Sequence, residues 1–485
     1  MTSTKYETVI GLEIHAELLT NSKMFCGCSA DYASAPAANT HICPVCTALP
    51  GAMPVINARA VEQAILVGMA LNCTINLHNT FARKNYFYPD LPKGYQISQY
   101  ELPIASEGWM DVAADSGEGT QRIRIRRAHL EEDTAKTFHR GDHALIDYNR
   151  AGVPLLEIVT KPDFRTVEAA LAYATNVRAI LRYLGVNSGD MEKGVLRFEA
   201  NVSVRPVGSD EFRTRTEIKN LNSFRALTRA SAYEVERQIK LYESGGQVVQ
   251  ETLGWDEARG VTVSQRSKEH AHDYRYFPEP DLPPLQLAES YIEGFRAHLP
   301  ELPEAKTQRF IRDYGLKLQD AALLASERSL ADYFESVAAQ TKDSAKAVCN
   351  WLTGEFMRQI NDRALSVDSI PVPAAHLAQL IDLAFEKTVS GNTAKSVLVE
   401  MFQSGRAPKE IVEAQGLRQI SDEGVLKEMV VKLIADNPKE VASYLGGKET
   451  LLQWFMGQVA RATKGKADPQ AVKQLLLDEF EKLKK

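Results

Sequence analysis

The sequence predicts an α+β protein, with a mainly antiparallel sheet in the first part of the chain and helices after it. In VLRFEANVSVRP, apolar and polar side chains alternate from Leu196 to Arg205, which is typical of an antiparallel strand with one open, polar face. Apolar residues recur at helical spacing in TVEAALAYATNVRAILRYLG. After the proline-rich segment YFPEPDLPPLQL, helical spacing predominates.

Further segments agree with this division. RIRIRRAHLEED places Ile123 and Ile125 between arginines, as a half-buried strand does. A second helix is predicted in SFRALTRASAYEVERQIKLYESGG, and the two helices stop at Gly185 and Gly245. SIPVPAAH marks another joint, and the last part of the chain is predicted to form a small helical bundle.

Size and composition limit the class of protein. A chain of 485 residues predicts two or three domains. Its net charge of -6 argues against a protein that coats nucleic acid electrostatically, although a local basic patch is compatible with that charge. No run approaches the roughly 18 apolar residues of a membrane span, and the start lacks the apolar core of a signal peptide. With six cysteines too few for a disulfide framework, we expect a cytoplasmic protein without a membrane partner.

The strongest local signal is two close pairs of cysteines. Cys26-x-Cys28 is followed by Cys43-x-x-Cys46, and four thiolates at this spacing suit tetrahedral Zn²⁺. The alternative is four free cysteines that are close in sequence by chance, which the tight spacing makes the weaker interpretation. Because a shell of four cysteines leaves no position open for substrate, the sequence predicts a structural zinc site.

Acidic and imidazole side chains recur at alternate positions of strand-like segments. VIGLEIHAEL carries Glu13, His15 and Glu17, and RRAHLEEDTAK carries His129, Glu131 and Asp133; each set falls on one face of a strand. Glu157 interrupts an apolar strand, where an unpaired carboxylate is costly to bury. An exposed polar sheet face explains any one fragment. The three together favour a site for Mg²⁺ that carries nucleotide phosphates.

A third group of residues suits an anionic ligand. RKNYFYPDLPKGYQISQY interleaves cations, amides and tyrosines, which can stack on bases and hold phosphates, although a tyrosine-rich surface loop is the alternative. DYNRAG, RTEIKNLNSF and the polar face of VLRFEANVSVRP add similar residues. The residues expected to contact ATP or another substrate are Lys84, Asn85, Tyr86, Lys93, Gln96, Asn149, Arg150, Arg197, Glu199, Asn201, Lys219 and Asn220.

The common nucleotide-binding loop is absent from the sequence. LGGKET carries Glu449 where a P-loop requires Ser or Thr, and neither a nucleophile elbow nor a set of kinase loops occurs. If the protein uses ATP, we expect the nucleotide to lie on an open sheet with magnesium rather than on a P-loop.

The motifs together resemble one protein family. VIGLEIHAEL, RKNYFYPDLPKGYQISQ, RAHLEEDTAKT, DYNRAGVPLLEIV, RTEIKNLNSF and DYRYFPEPDLPPL are similar, in this order, to signature segments of the B subunits of glutamyl/aspartyl-tRNA amidotransferases. GQVARATKGKADPQAVKQLL resembles the tail domain of the same family. The resemblance covers essentially the whole chain.

The resemblance implies an activity. B subunits of this family use ATP and Mg²⁺ to phosphorylate the side-chain carboxylate of a misacylated tRNA, Glu-tRNA(Gln) or Asp-tRNA(Asn), and ammonia then displaces the phosphate. An amidase A subunit releases the ammonia from glutamine, and a small C subunit completes a heterotrimer. Phosphorylation converts a poor leaving group into a good one, and cations offset the charge that develops.

The resemblance also implies ligands and exposes departures. The paired thiols match a zinc site that some members of the family have. Phe198 and Glu199 stand where the family pattern has Cys and Asp, and Asp468 stands where Asn is usual. The expected Mg²⁺ ligands are Glu13, His15, Glu131 and Glu157.

Residue patterns and resemblance predict the same three domains. A cradle domain over 1–293 would carry the zinc, ATP and Mg²⁺ sites, a helical domain would follow over 294–407, and a helical tail over 408–485 would bind the outer elbow of tRNA. Acidic neighbours oppose the tail's basic residues, so a solvated helix surface is the alternative to phosphate contact. These basic residues are Arg461, Lys464, Lys466, Lys473, Lys482, Lys484 and Lys485.

Two other functions compete with this interpretation. One is a free-standing ligase of the glutamine synthetase kind, which amidates a small carboxylate with free ammonia. The other is a non-enzymatic, zinc-stabilised scaffold that binds tRNA. The helical tail favours tRNA over a small substrate, and the acidic and imidazole strands favour catalysis over a scaffold. The choice between Glu-tRNA(Gln) and Asp-tRNA(Asn) depends on the synthetases of the organism.

Overall fold

The computed structural model describes residues 5–113, 119–267, 271–366, 369–419, 423–463 and 466–484. The chain forms two compact units, Met1–Leu302 and Pro303–Lys485. The first unit is built on a mainly antiparallel sheet and the second is helical, so the predicted α+β class is confirmed. The predicted boundaries near residues 293 and 407 stay predictions.

The first unit combines one large sheet with a few helices. Its helices are α1 (Ala58–Ala70), α2 (Val167–Tyr183), α3 (Phe224–Glu243) and α4 (Glu289–Arg296), with a 3-10 turn at Ala271–Tyr274. Its strands are β1 (Tyr6–Glu17), β2 (Thr74–Ile75), β3 (His78–Asn79), β4 (Ala82–Asn85), β5 (Tyr95–Ser98), β6 (Ala105–Ala113), β7 (Thr120–Glu132), β8 (Lys136–Arg140), β9 (His143–Asp147), β10 (Pro154–Thr160), β11 (Leu196–Pro206), β12 (Thr216–Leu221), β13 (Glu251–Asp256), β14 (Val261–Ser267), β15 (Phe277–Pro278) and β16 (Leu285–Gln286).

The order of the strands determines which side chains meet. The large sheet runs β14-β13-β12-β11-β1-β10-β7-β5-β4-β15, and β6 pairs with β7 and β2. β12 and β13 are parallel, whereas β1 is antiparallel to both β10 and β11. In this register His15 lies directly between Glu157 and Arg197. Directly opposed residues share a face of the sheet, so one face collects the polar side chains.

The other face of the sheet is the core of the first unit. Leu12 of β1 and Ala200 of β11 are fully buried there, together with Tyr173 of α2 and Leu227 of α3. The helices begin where the sequence provides a cap: the Thr166 hydroxyl accepts from the amide of Ala169 at the start of α2, and α3 begins at a serine in the same way. Such caps satisfy amides that have no partner within the helix.

The polar face is more enclosed than strand alternation indicates. Glu131 and Glu157 are only 3% and 9% exposed. The cause is the aromatic cover over this end of the sheet: the rings of Tyr100 and Tyr276 stack at 4.0 Å, and burial of Tyr276 beside these carboxylates raises the pKa of its hydroxyl to about 12. A sequence pattern reports the side on which a strand is polar, but not what later segments place over it.

The second unit is helical, with two separate apolar clusters. One cluster draws on residues 310–412 and the other on residues 426–480. None of the helices in the described ranges combines the length and apolar composition that a membrane crossing requires. The helices are α5 (Pro303–Tyr314), α6 (Leu318–Ala325), α7 (Arg328–Ala338), α8 (Ala345–Trp351), a π-helical turn (Leu352–Phe356), α9 (Met357–Asp362), α10 (Ala374–Phe385), α11 (Gly391–Ser404), α12 (Pro408–Ala414), α13 (Glu423–Asp436), α14 (Pro438–Leu445), α15 (Leu451–Ala462) and α16 (Pro469–Lys484).

Two of the departures from the family pattern have a structural explanation. Phe198 is fully buried on the core face of β11, where its ring centroid lies 5.9 Å from that of Phe224. This departure therefore concerns packing and not the polar face. The Asp468 carboxylate accepts from the amide of Gln470 at 2.8 Å, which caps α16. Asparagine and aspartate cap helices about equally well.

Replacing Phe198 by alanine tests this assignment to the core. We expect Phe198→Ala to lower the free energy of unfolding of the first unit by about 3–5 kcal/mol, since a large buried ring leaves a cavity. Urea unfolding followed by circular dichroism measures the change. Val249→Ala, at a side chain that is 69% exposed, is the control and should change stability by less than ~0.5 kcal/mol. Equal effects of the two substitutions would contradict the placement of Phe198.

Candidate active site

The polar face of the sheet carries a first group of side chains that could hold a metal ion. His15 of β1, Glu131 of β7 and Glu157 of β10 each offer a ligand atom, and these atoms lie within 4.8 Å of one another. The Nε2 atom of His15 lies 3.4 Å from a carboxylate oxygen of Glu157. The antiparallel pairing of β1, β10 and β7 produces this group, because it aligns residues that are far apart in sequence.

A second group of carboxylates lies beside the first. Glu13, Glu199 and Glu217 also offer oxygens within 4.8 Å of one another. The Lys219 ammonium is 2.7 Å from Glu199 and 3.7 Å from Glu217, and the Asn201 amide donates to Glu13 at 2.9 Å. The four residues expected to bind Mg²⁺ are thus divided: three lie in the first group and Glu13 lies in the second.

The electrostatics of both groups fit a divalent cation. Burial, and then the neighbouring Glu157, raise the pKa of Glu131 to about 7. The same two causes raise the pKa of Glu13. Although burial alone would lower it, the hydrogen bond and charge of Glu157 raise the pKa of His15 to about 9. Carboxyl groups whose pKa values rise in this way have too little positive charge around them. Although burial alone would raise them, nearby cations hold the pKa values of Glu157 and Glu199 below their usual range. Their oxygen-rich donor sets are those that Mg²⁺ prefers.

His129 is a buried residue of this face that was not among the expected ligands. Its Nε2 atom lies 3.7 Å from Glu157 and 3.8 Å from Glu131. Burial lowers the pKa of His129 to about 3, so the ring is neutral and leaves the negative charge of the carboxylates in place. The signal in the sequence was its spacing of two residues from Glu131, which places both on one face of β7.

Glu217 was also missed by the sequence analysis. It lies on β12, two residues before Lys219, and is 6% exposed. The alternation of Thr216, Glu217, Ile218 and Lys219 was visible, but a short alternating strand does not say that its acidic residue will face β1 across β11. Only the strand order β12-β11-β1 brings this carboxylate to Glu13.

Some residues expected to bind ATP do face the acidic groups. Arg197 and Glu199 of β11 lie opposite His15 and Glu13 of β1, and Asn201 and Lys219 contact the second group as described above. The ammonium of Lys84 on β4 lies 4.9 Å from the centre of the Tyr274 ring. Although burial alone would lower it, nearby groups that include Glu131 raise the pKa of Lys84, which stays charged.

Other residues from the same set hold the covering segments in place. The Asn85 amide donates to the carbonyl oxygens of Tyr274 and Arg275, at 3.2 and 2.9 Å. The Tyr86 ring packs against Tyr274 at 6.0 Å. Two further side chains, Lys93 and Gln96, bond to the carboxylate and the carbonyl of Glu132. These contacts order the segments that enclose the site.

The side chains of Asn149 and Arg150 also form hydrogen bonds with the protein backbone. The Asn149 amide oxygen accepts from the backbone amides of Thr40 and His41, at 2.9 and 2.8 Å. The Arg150 guanidinium donates to the carbonyl oxygens of Thr134 and Ala135. Asn220 is exposed at a bulge of β12, where its φ of 60° is in the left-handed region that Asn tolerates better than most residues.

The four cysteines of the two pairs converge on one point. Their Sγ atoms lie within 4.8 Å of one another, and those of Cys43 and Cys46 are 3.9 Å apart. Four Zn–S bonds of about 2.3 Å in a tetrahedron place neighbouring sulfurs ~3.8 Å apart. A hydrogen bond with Cys26, opposed by burial, lowers the pKa of Cys46 to about 5, and the same bond raises the pKa of Cys26. The donor set and its geometry therefore fit Zn²⁺.

An open groove of about 770 Å³ begins at the acidic groups. Glu13 and Glu157 line it, together with the aromatic side chains of Tyr100 and Phe212. A lining that combines two carboxylates with several cationic side chains suits an anionic ligand near the acidic groups. The cationic side chains that line the groove are Arg126, Arg127, Lys161, Arg213 and Arg215.

Comparison with known proteins decides the family. The family model described as the GatB/GatE catalytic domain matches residues 8–293, and the one described as the GatB domain matches residues 332–480. The chain belongs to the GatB/GatE family. The resemblance drawn from the motifs is thereby confirmed. Both acidic groups and all four paired cysteines lie within the match to the GatB/GatE catalytic domain.

Two relatives within the GatB/GatE family are similar along the whole chain. The protein from Caldanaerobacter subterraneus is 52% identical over 479 residues, which are 99% of this chain and 100% of the relative. The protein from Herpetosiphon aurantiacus is 53% identical over 481 residues, 98% of this chain and 99% of the relative. Both are named as the B subunit of an aspartyl/glutamyl-tRNA(Asn/Gln) amidotransferase.

Metal analysis tests the cysteine cluster. We expect about one equivalent of zinc in protein purified without chelators, because four convergent thiolates form a closed tetrahedral site. Cys28→Ser should lose the metal and loosen the surrounding loop, whereas Cys349→Ser, in the second unit, should keep it. Mass spectrometry with inductively coupled plasma gives the zinc content. Absence of zinc from the wild-type protein would refute the site.

Proposed function

We propose that this chain activates and amidates the aminoacyl group of Glu-tRNA(Gln), Asp-tRNA(Asn) or both, using ATP and Mg²⁺. In this proposal an amidase A subunit supplies the ammonia from glutamine, and a small C subunit completes the heterotrimer. The observation that carries the proposal is the buried acidic face, where two groups of side chains could each hold a metal ion, in a chain whose relatives are named as B subunits of such an amidotransferase.

The two acidic groups are the proposed Mg²⁺ sites. His15, Glu131 and Glu157 would hold one ion; the second group, Glu13 with its two partner glutamates, would hold another or share the first. When bound, Mg²⁺ neutralises phosphate charge and orients the transferred phosphoryl group. The protein contributes positions that the sheet holds rigidly, since all these side chains arise from paired strands.

The reaction consists of two displacements. An oxygen of the side-chain carboxylate of the tRNA-bound Glu or Asp attacks the γ-phosphorus of ATP. The bond between this phosphorus and ADP breaks, which gives an acyl phosphate. Ammonia then attacks the acyl carbon, the C–O bond to phosphate breaks, and the phosphate leaves with the proton that ammonia loses. Negative charge grows on the phosphoryl oxygens in the first step, and Lys84, Arg197 and Lys219 are the cations beside the acidic groups.

The groove and the tail support tRNA as the substrate. Five cationic side chains line the same groove as Glu13 and Glu157, and cations of this kind bind the phosphates of a nucleic acid. In the proposed tRNA-binding tail, Arg461 and Lys473 are exposed, whereas Lys464 and Lys485 lie outside the described residues. The zinc cluster is proposed to be structural, since it offers no open coordination position.

Amide substitutions in the first acidic group test the proposed role. Glu131→Gln and Glu157→Gln preserve shape but remove a negative charge, so we expect kcat to fall at least about a hundredfold, ~2.7 kcal/mol of transition-state stabilisation. The rate at which Gln-tRNA or Asn-tRNA forms, with ammonium as the nitrogen donor, gives kcat. Glu168→Gln, at an exposed position of α2, should leave the rate unchanged. Ordinary rates in all three variants at limiting magnesium would contradict the site.

One assay on the wild-type protein separates the alternatives. ATP cleavage that depends on misacylated tRNA supports the proposal. Cleavage that depends on small dicarboxylic acids would identify a ligase of the glutamine synthetase kind, and no cleavage at all would leave a tRNA-binding scaffold. No observation on the acidic face favours either of these other functions.

The pH dependence of metal binding tests His15 as a ligand. With its pKa raised to about 9, His15 carries a proton at neutral pH, and a cation must displace that proton. Affinity for Mn²⁺, used as a probe, should therefore rise about tenfold per pH unit from pH 7 towards pH 9. Electron paramagnetic resonance of free Mn²⁺ measures the affinity. Above about pH 8 Glu131, with a pKa of about 7, is ionised, so His15→Asn should reduce the slope most between pH 8 and pH 9, and an unchanged slope there would exclude His15.

A further inference from the structure

Lys84 is a cation of the polar face that no carboxylate neutralises. Among the residues that the structure describes, its ammonium group has neither a hydrogen-bond partner nor an ion-pair partner. By contrast, Lys93 lies 2.7 Å from Glu132, and Lys219 lies 2.7 Å from Glu199. A carboxylate at that distance largely balances the charge of a lysine. Lys84 therefore keeps its positive charge for another anion.

The register of the strands places Lys84 on the same face of the sheet as the acidic groups. Ala82 of β4 lies opposite Ser98 of β5, and Ser98 lies opposite Glu131 of β7. Directly opposed residues share a face of a sheet, and so do residues two apart along one strand. Since Lys84 is two residues after Ala82 on β4, its side chain projects from the face that carries Glu131.

Two tyrosine rings contact the Lys84 ammonium group in place of a carboxylate. The Nζ atom lies 4.9 Å from the centre of the Tyr274 ring and 5.8 Å from the centre of the Tyr86 ring. The two rings, here called the tyrosine pair, meet edge to face with their centres 6.0 Å apart. An aromatic ring carries a quadrupole but no net charge, so it attracts a cation without neutralising it. The tyrosine pair thus restricts the position of the ammonium group and leaves its charge unbalanced.

The Tyr274 ring reaches Lys84 on a segment from much later in the chain. This cover segment comprises residues 271–278, and it includes β15, which pairs with β4. The amide of Asn85, the residue after Lys84, donates to the carbonyl oxygens of Tyr274 and Arg275 at 3.2 and 2.9 Å. The strand pairing and the amide together fix Tyr274 relative to β4, the strand that carries Lys84.

We propose that Tyr274 is a positioning residue that, together with Tyr86, holds the Lys84 ammonium group by cation–π contacts where it meets the phosphoryl oxygens of ATP. The inference rests on the proposed function, in which Lys84 offsets the negative charge that grows in the first displacement. A cation stabilises that charge best when its position is fixed in advance and its own charge is not already balanced. The tyrosine pair meets both conditions, whereas a carboxylate partner would meet only the first.

Fluorinated rings at position 274 test the cation–π contact with little change of shape. Tyr274→Phe should keep kcat within about twofold, since the ring face and not the hydroxyl makes the contact. Phenylalanines with one, two and three ring fluorines, placed there by amber suppression, have progressively weaker ring quadrupoles. We expect kcat to fall stepwise along this series, by about tenfold in total, with the KM for ATP within about twofold.

The control series replaces another ring of the cover segment. Phe277 is 45% exposed, and its cationic neighbour Arg83 is already paired with Glu279. The same fluorinated phenylalanines in place of Phe277 should leave kcat unchanged. A flat series at Tyr274, or equal slopes in the two series, would overturn the proposal.

A double-mutant cycle separates positioning of Lys84 from a general effect of the cover. Tyr274→Leu removes the ring and Lys84→Met removes the cation, and we expect each to lower kcat at least about tenfold. In the Lys84→Met background, Tyr274→Leu should have no further effect on kcat, because it acts through Lys84. Multiplied effects would show that the ring acts by enclosing the site, and they would overturn the proposal.

Chemical modification supplies a readout that does not depend on activity. Acetic anhydride should acetylate Lys84 severalfold faster in Tyr274→Leu than in Phe277→Leu, as measured by mass spectrometry relative to the exposed Lys317. Equal rates would overturn the proposed contact. If the wild-type protein does not cleave ATP in the presence of misacylated tRNA, the proposed function fails, and the acetylation rates still decide whether Tyr274 holds Lys84.

Discussion

The crowding of five carboxylates on one enclosed sheet face is the constraint on which the rest of the site depends. Five neighbouring strands, β12, β11, β1, β10 and β7, each carry one of these residues. They are Glu217, Glu199, Glu13, Glu157 and Glu131. Bringing so many acids out of water is unfavourable unless cations compensate them. The pKa values of Glu13 and Glu131 are raised, whereas nearby cations lower those of Glu157 and Glu199, so the side chains compensate the acidic charge only in part.

Burial of apolar side chains on the opposite face of the sheet offsets this electrostatic cost. Leu12 and Ile14 alternate with Glu13 and His15 along β1. The two apolar residues, Leu12 and Ile14, are buried in the core that also contains residues of α1 to α3. The same alternation that supplies the core therefore prevents the acidic side chains from turning away from one another. Rigid paired strands hold ligands more closely to one geometry than loops do.

Loops complete the site in a different way, through side chains that bind backbone. Asn85 holds the segment with Tyr274, and Asn149 holds the loop between Cys28 and Cys43. Residues of this kind look like ligand contacts in a sequence, since amides and cations in polar loops serve both purposes. In the folded chain they hold the aromatic cover over the acidic face and the loop between the two cysteine pairs in place.

The sequence by itself determined the class of fold, the family, the cysteine cluster and most of the acidic residues, because strand alternation and cysteine spacing are local properties. Glu13, His15 and Glu131 were recognisable from spacing within single strands. Only the tertiary structure decided that Glu13 joins Glu217 and not Glu131, since that depends on the order β12-β11-β1-β10-β7. Strand order arises from contacts between distant segments, and the pattern within one strand does not specify its neighbours.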